Sequence, residues 1–119
     1  MKYIIILLLS SFFLHSQEVI TIDDFDSKIE EDIVVVEFYA EWNKSNCVDL
    51  KEFKDVSTYM VNIDDSPELK SRYEILSIPT LIVFNNKEII LKSEADLTFT
   101  LSTKKTKKLV QELVLKKFM

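Results

Sequence analysis

Val34-Val35-Val36-Glu37-Phe38-Tyr39-Ala40-Glu41-Trp42 is the stretch that decides the fold, and Ile33 extends it at the front. Ile33 to Val36 are four consecutive β-branched residues. A strand with one wet face alternates apolar and polar side chains, whereas an unbroken run of this kind suits a central strand covered on both faces. The run ends at Ala40, and Glu41 to Asn46 reads as a polar turn. A strand buried on both faces needs helices above and below it, which sets the expectation of an α/β domain.

The flanking segments supply those helices. Residues 18–21 form a short strand candidate. Asp23 is placed to cap a helix running to about Ile29, with Phe25 and Ile29 four apart on one face. Asn46 to Lys54 reads as a short helix with Cys47, Leu50 and Phe53 at helical spacing, and residues 58–63 as the next strand. Ser66-Pro67-Glu68 is a helix start, with Ser66 at the N-cap, Pro67 in the first turn and Glu68 favourable to the dipole; that helix ends near Tyr73. Residues 81–84 and 88–91 are strands joined through Asn85-Asn86, a pair that tolerates the left-handed region. Ser102 or Thr103 opens a last helix, with Leu109, Val110, Leu113, Val114 and Phe118 as its apolar stripe. The order βαβαβαββα implies parallel crossovers early and an antiparallel edge late, giving a three-layer α/β/α arrangement around a central mixed sheet.

Composition bounds the chemistry. The chain has 119 residues, a length for one domain, and a net charge of −5, which offers no basic footprint for nucleic acid. It has no glycine, so any left-handed turn must use Asn, Asp or Lys. Lys2 followed by the apolar run 3–14 and by Leu14-His15-Ser16 reads as a signal peptide over residues 1–16, too short for a span of roughly 20 residues. The alternative is an uncleaved anchor. Cleavage after Ser16 leaves residues 17–119 as the domain, removes Lys2 and the single histidine, and brings the charge to −6. With one cysteine and no histidine, that domain cannot assemble a Ser-His-Asp or Cys-His set, a Cys/His zinc site or an internal disulfide. No metal and no cofactor are expected. The localisation expected is export, to the periplasm or cell envelope if the source is bacterial, with no membrane contact beyond the signal peptide.

The element order and two separate blocks of residues resemble the thioredoxin family. Val34 to Trp42 is similar to the strand leading into that family's active site. Val61-Asn62-Ile63-Asp64, Pro67-Glu68-Leu69, Tyr73 and Ser77-Ile78-Pro79-Thr80-Leu81-Ile82-Val83-Phe84 resemble its later half. Together they cover about residues 18–118. The resemblance implies a thioredoxin-like fold, a cis peptide bond before Pro79, and a groove in which the backbone just before that proline pairs with an extended peptide.

The departures fall on the chemistry. The family follows its Trp with Cys-x-x-Cys, whereas Trp42 is followed by Asn43-Lys44-Ser45-Asn46, with Asn at both cysteine positions. An amide supplies no thiolate to attack a disulfide. Cys47 comes one residue later, and a one-residue step along a helix turns a side chain by about 100°, so it is expected to point away from the second thiol's place. Glu37 stands where the family keeps a buried acid, and the lysine usually beside that acid corresponds to Met60. Glu37 is either held by the Asn43 or Asn46 amide or partly solvated.

Three functional readings follow. The favoured one is a redox-inactive protein that binds an extended polypeptide, as a chaperone-like or adaptor domain, at a groove formed by Trp42, Asn43, Asn46, Ile78 and Pro79. The alternative, a single-thiol redox protein, uses Cys47 in mixed disulfides, with the helix dipole lowering the thiol pKa; the bland reading of Cys47 is packing. The third is a subunit that completes an assembly. Pro79 serves the fold alone if the groove is unused. Lys104, Lys105, Lys107 and Lys108 crowd the start of the last helix, as a solvated face or as purchase for an acidic partner. Leu97, Phe99 and Leu101 alternate with threonines, a pattern for an extended edge strand or a cover over the sheet.

Overall fold

The computed structural model describes residues 18–118. The signal peptide and cleavage site expected at residues 1–16 lie outside the described residues. The elements are α1 (Ile22–Lys28), β1 (Ile33–Tyr39), two 3₁₀ turns (Glu41–Asn46 and Leu50–Glu52), β2 (Ser57–Asn62), α2 (Pro67–Arg72), β3 (Thr80–Asn85), β4 (Glu88–Glu94) and α3 (Lys104–Lys117).

The four strands form one mixed sheet in the order β2-β1-β3-β4. β1 runs parallel to β2 and antiparallel to β3, and β3 pairs antiparallel with β4. Every residue of β1 is buried, as its unbroken apolar run requires. Val34, Val36 and Phe38 face one core with Phe25 of α1 and Leu69 of α2. Ile33, Val35 and Tyr39 face the other with Leu50, Phe53, Met60 and Val110 of α3. The layers are therefore α/β/α. Phe25 centres the first core, its ring 5.9 Å from Phe84, 5.5 Å from Tyr73 and 6.3 Å from Phe38.

Several elements depart from expectation. The strand expected at residues 18–21 is a single bridge, Val19 to Met60, closed by Ile20 N–H to Met60 O and Met60 N–H to Glu18 O, both 2.9 Å. Thr21, not Asp23, is the N-cap of α1; Asp23 and Asp24 sit in the first turn, where the dipole favours them. Ser66 caps α2 by position only, since its hydroxyl is buried without a hydrogen-bond partner among the described residues. The hairpin turns one residue later than expected, at Asn86 (φ 51°) and Lys87 (φ 73°), because Asn85 is still paired with Glu88. Without glycine the left-handed region falls to Asp55, Glu74, Asn86, Lys87 and Phe99. β4 stops at Glu94, so residues 95–103 do not extend the edge strand; Leu101 packs against the second core, whereas Leu97 is 98% exposed. Along α3 the apolar stripe holds at Val110, Leu113 and Val114, but Phe118 faces solvent.

Candidate functional site

The helix expected over residues 46–54 is absent. A 3₁₀ turn ends at Asn46, Cys47 is extended (φ −63°, ψ 145°), and only Leu50–Glu52 turns again, with Asp49 accepting from Lys51 N–H at 3.0 Å. What prevents a helix is Glu37. Its Oε2 accepts the Val48 N–H at 2.8 Å, so that amide is drawn to β1 rather than to the preceding turn. With no helix beginning at Cys47, no helix dipole lowers its thiol pKa.

Because the chain is extended at Cys47, the one-residue offset does not carry the thiol away from the buried acid. Cys47 stands beside Glu37 and is half-buried. Neither arrangement expected for Glu37 is found. It is fully buried rather than solvated, its partner is the Val48 backbone rather than an asparagine amide, and its Oε1 has no partner among the described residues. Met60 lies opposite it in register on β2, so no cation answers it from that strand. Burial pushes the Glu37 carboxyl up to about 7, against the smaller opposing effects of the Val48 N–H and the Cys47 thiol. Burial and the neighbouring Glu37 charge push the Cys47 thiol up to about 12, with Lys44 opposing them weakly.

Asn43 is also buried. Its Oδ1 accepts the Ala40 N–H at 3.1 Å while its own N–H donates to Ala40 O at 3.1 Å, and its amide nitrogen has no partner among the described residues. Asn43 thus ties the turn back onto the end of β1. Asn46 is exposed but lines a separate hollow with Cys47 and Asp49. Pro79 is buried, and its carbonyl accepts the Ala95 N–H at 3.1 Å.

Trp42 and Ile78 do come together. They line an open hollow of about 340 Å³ shared with Ile75, Leu76, Leu97 and Phe99. Trp42 is 65% exposed and Leu76 86%, whereas the Ile78 side chain is buried in the first core. The Ile78–Pro79 peptide bond is cis. No hydrogen bond engages the N–H or C=O of Ile78 among the described residues. Phe99 is the residue that sequence reasoning misplaced. Its ring meets the Trp42 ring edge-on, centroids 5.2 Å apart at 85°. Asp96 sets the loop that delivers it, accepting the Thr98 N–H at 2.9 Å and the Thr100 N–H at 3.1 Å. The Asp96-x-Thr98-x-Thr100 spacing was the available signal for that loop.

The thioredoxin family model, described as "Thioredoxin", matches residues 16–112. The chain belongs to the thioredoxin family. It is similar to thioredoxin of Staphylococcus epidermidis, 34% identical over 61% of this chain and 78% of the relative, and to thioredoxin of Staphylococcus aureus, 32% identical over the same shares. Among solved structures it resembles a Plasmodium falciparum thioredoxin (TM-score 0.60, 21% identity, 80% of this chain and 97% of the other). It also resembles a mutant thioredoxin from Halobacterium salinarum (TM-score 0.61, 21% identity, 80% and 89%). Those structural likenesses concern the fold. Cys47 is the single cysteine of the chain, so no Cys-x-x-Cys pair is present in it.

Proposed function

We propose that this thioredoxin-family protein performs no dithiol exchange and instead holds an extended segment of another protein, as a chaperone-like or adaptor domain of the cell envelope, at the hollow between Trp42 and Ile78. The observation that carries the reading is the pairing of an open apolar wall with a free backbone: Trp42 and Leu76 stand exposed beside an Ile78 whose N–H and C=O have no partner among the described residues. An extended peptide can satisfy those two groups by strand addition while its side chains take the apolar wall. Chemistry is left to one thiol, and a thiol held near 12 is almost wholly protonated at neutral pH, which counts against the mixed-disulfide reading for Cys47.

The test is an amide and indole chemical-shift titration of the protein with extended apolar peptides. Shifts at the Trp42 indole and the Ile78 amide, lost in Trp42→Ala, are expected. A panel of such peptides that moves neither signal rejects the groove and favours the assembly-subunit reading.

A further inference from the structure

The charges of this chain are segregated. α3 carries six lysines against the single Glu112, while the rest of the chain holds nine of the fifteen basic and nineteen of the twenty acidic residues. A protein with an acidic balance thus presents one basic helix. Lys104, Lys105, Lys107 and Lys108 crowd its first turns, no acidic residue offsets them there, and Thr103 gives no side-chain cap. Positive charge at a helix N-terminus opposes the dipole, so this placement costs stability. Only Lys107 among the four has an ion-pair partner among the described residues, Glu52 at 3.9 Å.

The same helix leaves apolar surface uncovered. Leu115 is 64% exposed and follows Lys104, Lys108 and Gln111 along one ridge at steps of four, three and four residues. Beside that ridge a hollow of about 490 Å³ runs between α3 and residues 52–55, floored by Phe53, Val110 and Val114. A second of about 810 Å³ lies among the lysines, and the two share Lys107 and Gln111. The face is therefore a trough, basic at one end and apolar at the other.

We infer that the outer face of α3 is a second binding surface, distinct from the Trp42–Ile78 hollow, and that its occupant is an acidic polypeptide segment carrying a large apolar side chain. Lys104, Lys105 and Lys108 meet the partner's carboxylates, and the trough beside Leu115 takes the apolar side chain. Charge complementarity selects the acidic partner. The concave trough between α3 and residues 52–55 suits an inserted apolar side chain of a polypeptide rather than a flat lipid surface.

The experiment titrates the full chain with a fluorescein-labelled peptide of alternating Glu and Leu, a counterpart with Ser for Leu, and phosphatidylglycerol vesicles. The Glu/Leu peptide is expected to shift the amides of Lys104, Lys108 and Gln111. Its affinity should fall about tenfold or more in a Lys104→Ala/Lys105→Ala/Lys108→Ala variant and again between 0.1 and about 1 M salt, as screening tightens. The variant removes charges that oppose the dipole, so its melting temperature should not fall, and lost binding cannot be laid to unfolding. Equal affinity for the Glu/Leu and Glu/Ser peptides, binding to vesicles but not to the peptide, or unchanged affinity in the triple variant would each overturn the inference. Binding at α3 that persists in Trp42→Ala separates this surface from the proposed groove.

Discussion

The segment after β1 has two sides, and they differ in almost every physical respect. On one side Asn43, Glu37 and Cys47 are drawn inward: the carboxyl holds the Val48 amide, the thiol stands against it, and the Asn43 amide closes on Ala40. On the other, Trp42, Leu76 and Ile78 frame an open apolar hollow beside backbone that has no partner among the described residues. The family resemblance implies two sides that work together, thiols on one and substrate backbone on the other. Here the Glu37 side holds a single half-buried thiol, while the Trp42–Ile78 side is an open hollow. On the function proposed above, binding geometry and redox chemistry occupy separable parts of this fold.

The largest expected effect tests the Glu37 side. A thiol raised from an ordinary 9.0 to about 12 carries on the order of a thousandfold less thiolate near neutral pH. Iodoacetamide should therefore label folded Cys47 about a thousandfold more slowly than the denatured chain at the same pH. Equal rates would erase the distinction between the two sides.

Next comes the pH dependence of stability. Glu37 titrates near 4.5 when unfolded and near 7 when folded, so between those values the native state binds the proton that the unfolded state has lost. Stability is then complete below about pH 4.5, falls as pH rises toward 7, and levels off above it; the loss is about 3 kcal/mol. Urea unfolding across that range checks it, and Glu37→Gln should flatten the slope. A wild-type curve that is already flat would mean that Glu37 is not buried as described.

Smaller effects belong to the open side. Trp42→Ala removes an exposed ring and its edge-on contact with Phe99, a loss of about 1 kcal/mol in thermal unfolding. A loss several times larger would show that Trp42 is a core residue rather than a wall of the groove. Phe99→Gly is expected to change stability least. It loses the same contact but relieves a bulky side chain held at φ 60°, two effects of about 1 kcal/mol and opposite sign.

How much of this was legible depends on whether the deciding interactions were local. β1 could be read directly because its β-branched run admits few alternatives, and both cores follow from its alternation. The Pro67 helix start and the opening of α3 at Thr103 were equally local signals. Residues 46–54 misled because Cys47, Leu50 and Phe53 recur every third residue, a spacing that also serves an irregular segment packed on a sheet. The acceptor that claims the Val48 N–H is eleven residues away, beyond any helical pattern. Phe99 was hidden for the reverse reason: alternation at Leu97, Phe99 and Leu101 imitates a strand, while the Asp96 side chain captures the amides of Thr98 and Thr100 that a ladder would need. Of the groove residues expected, Trp42 and Ile78 line one hollow, Ile78 being buried like Asn43 and Pro79, and Asn46 faces another hollow.

The separation of binding from chemistry is tested most directly by following the reduction of insulin by dithiothreitol with no addition, with the protein, and with Cys47→Ser. The account predicts the same time course in all three. Acceleration by the parent protein that disappears in Cys47→Ser would contradict it and make Cys47 a working nucleophile.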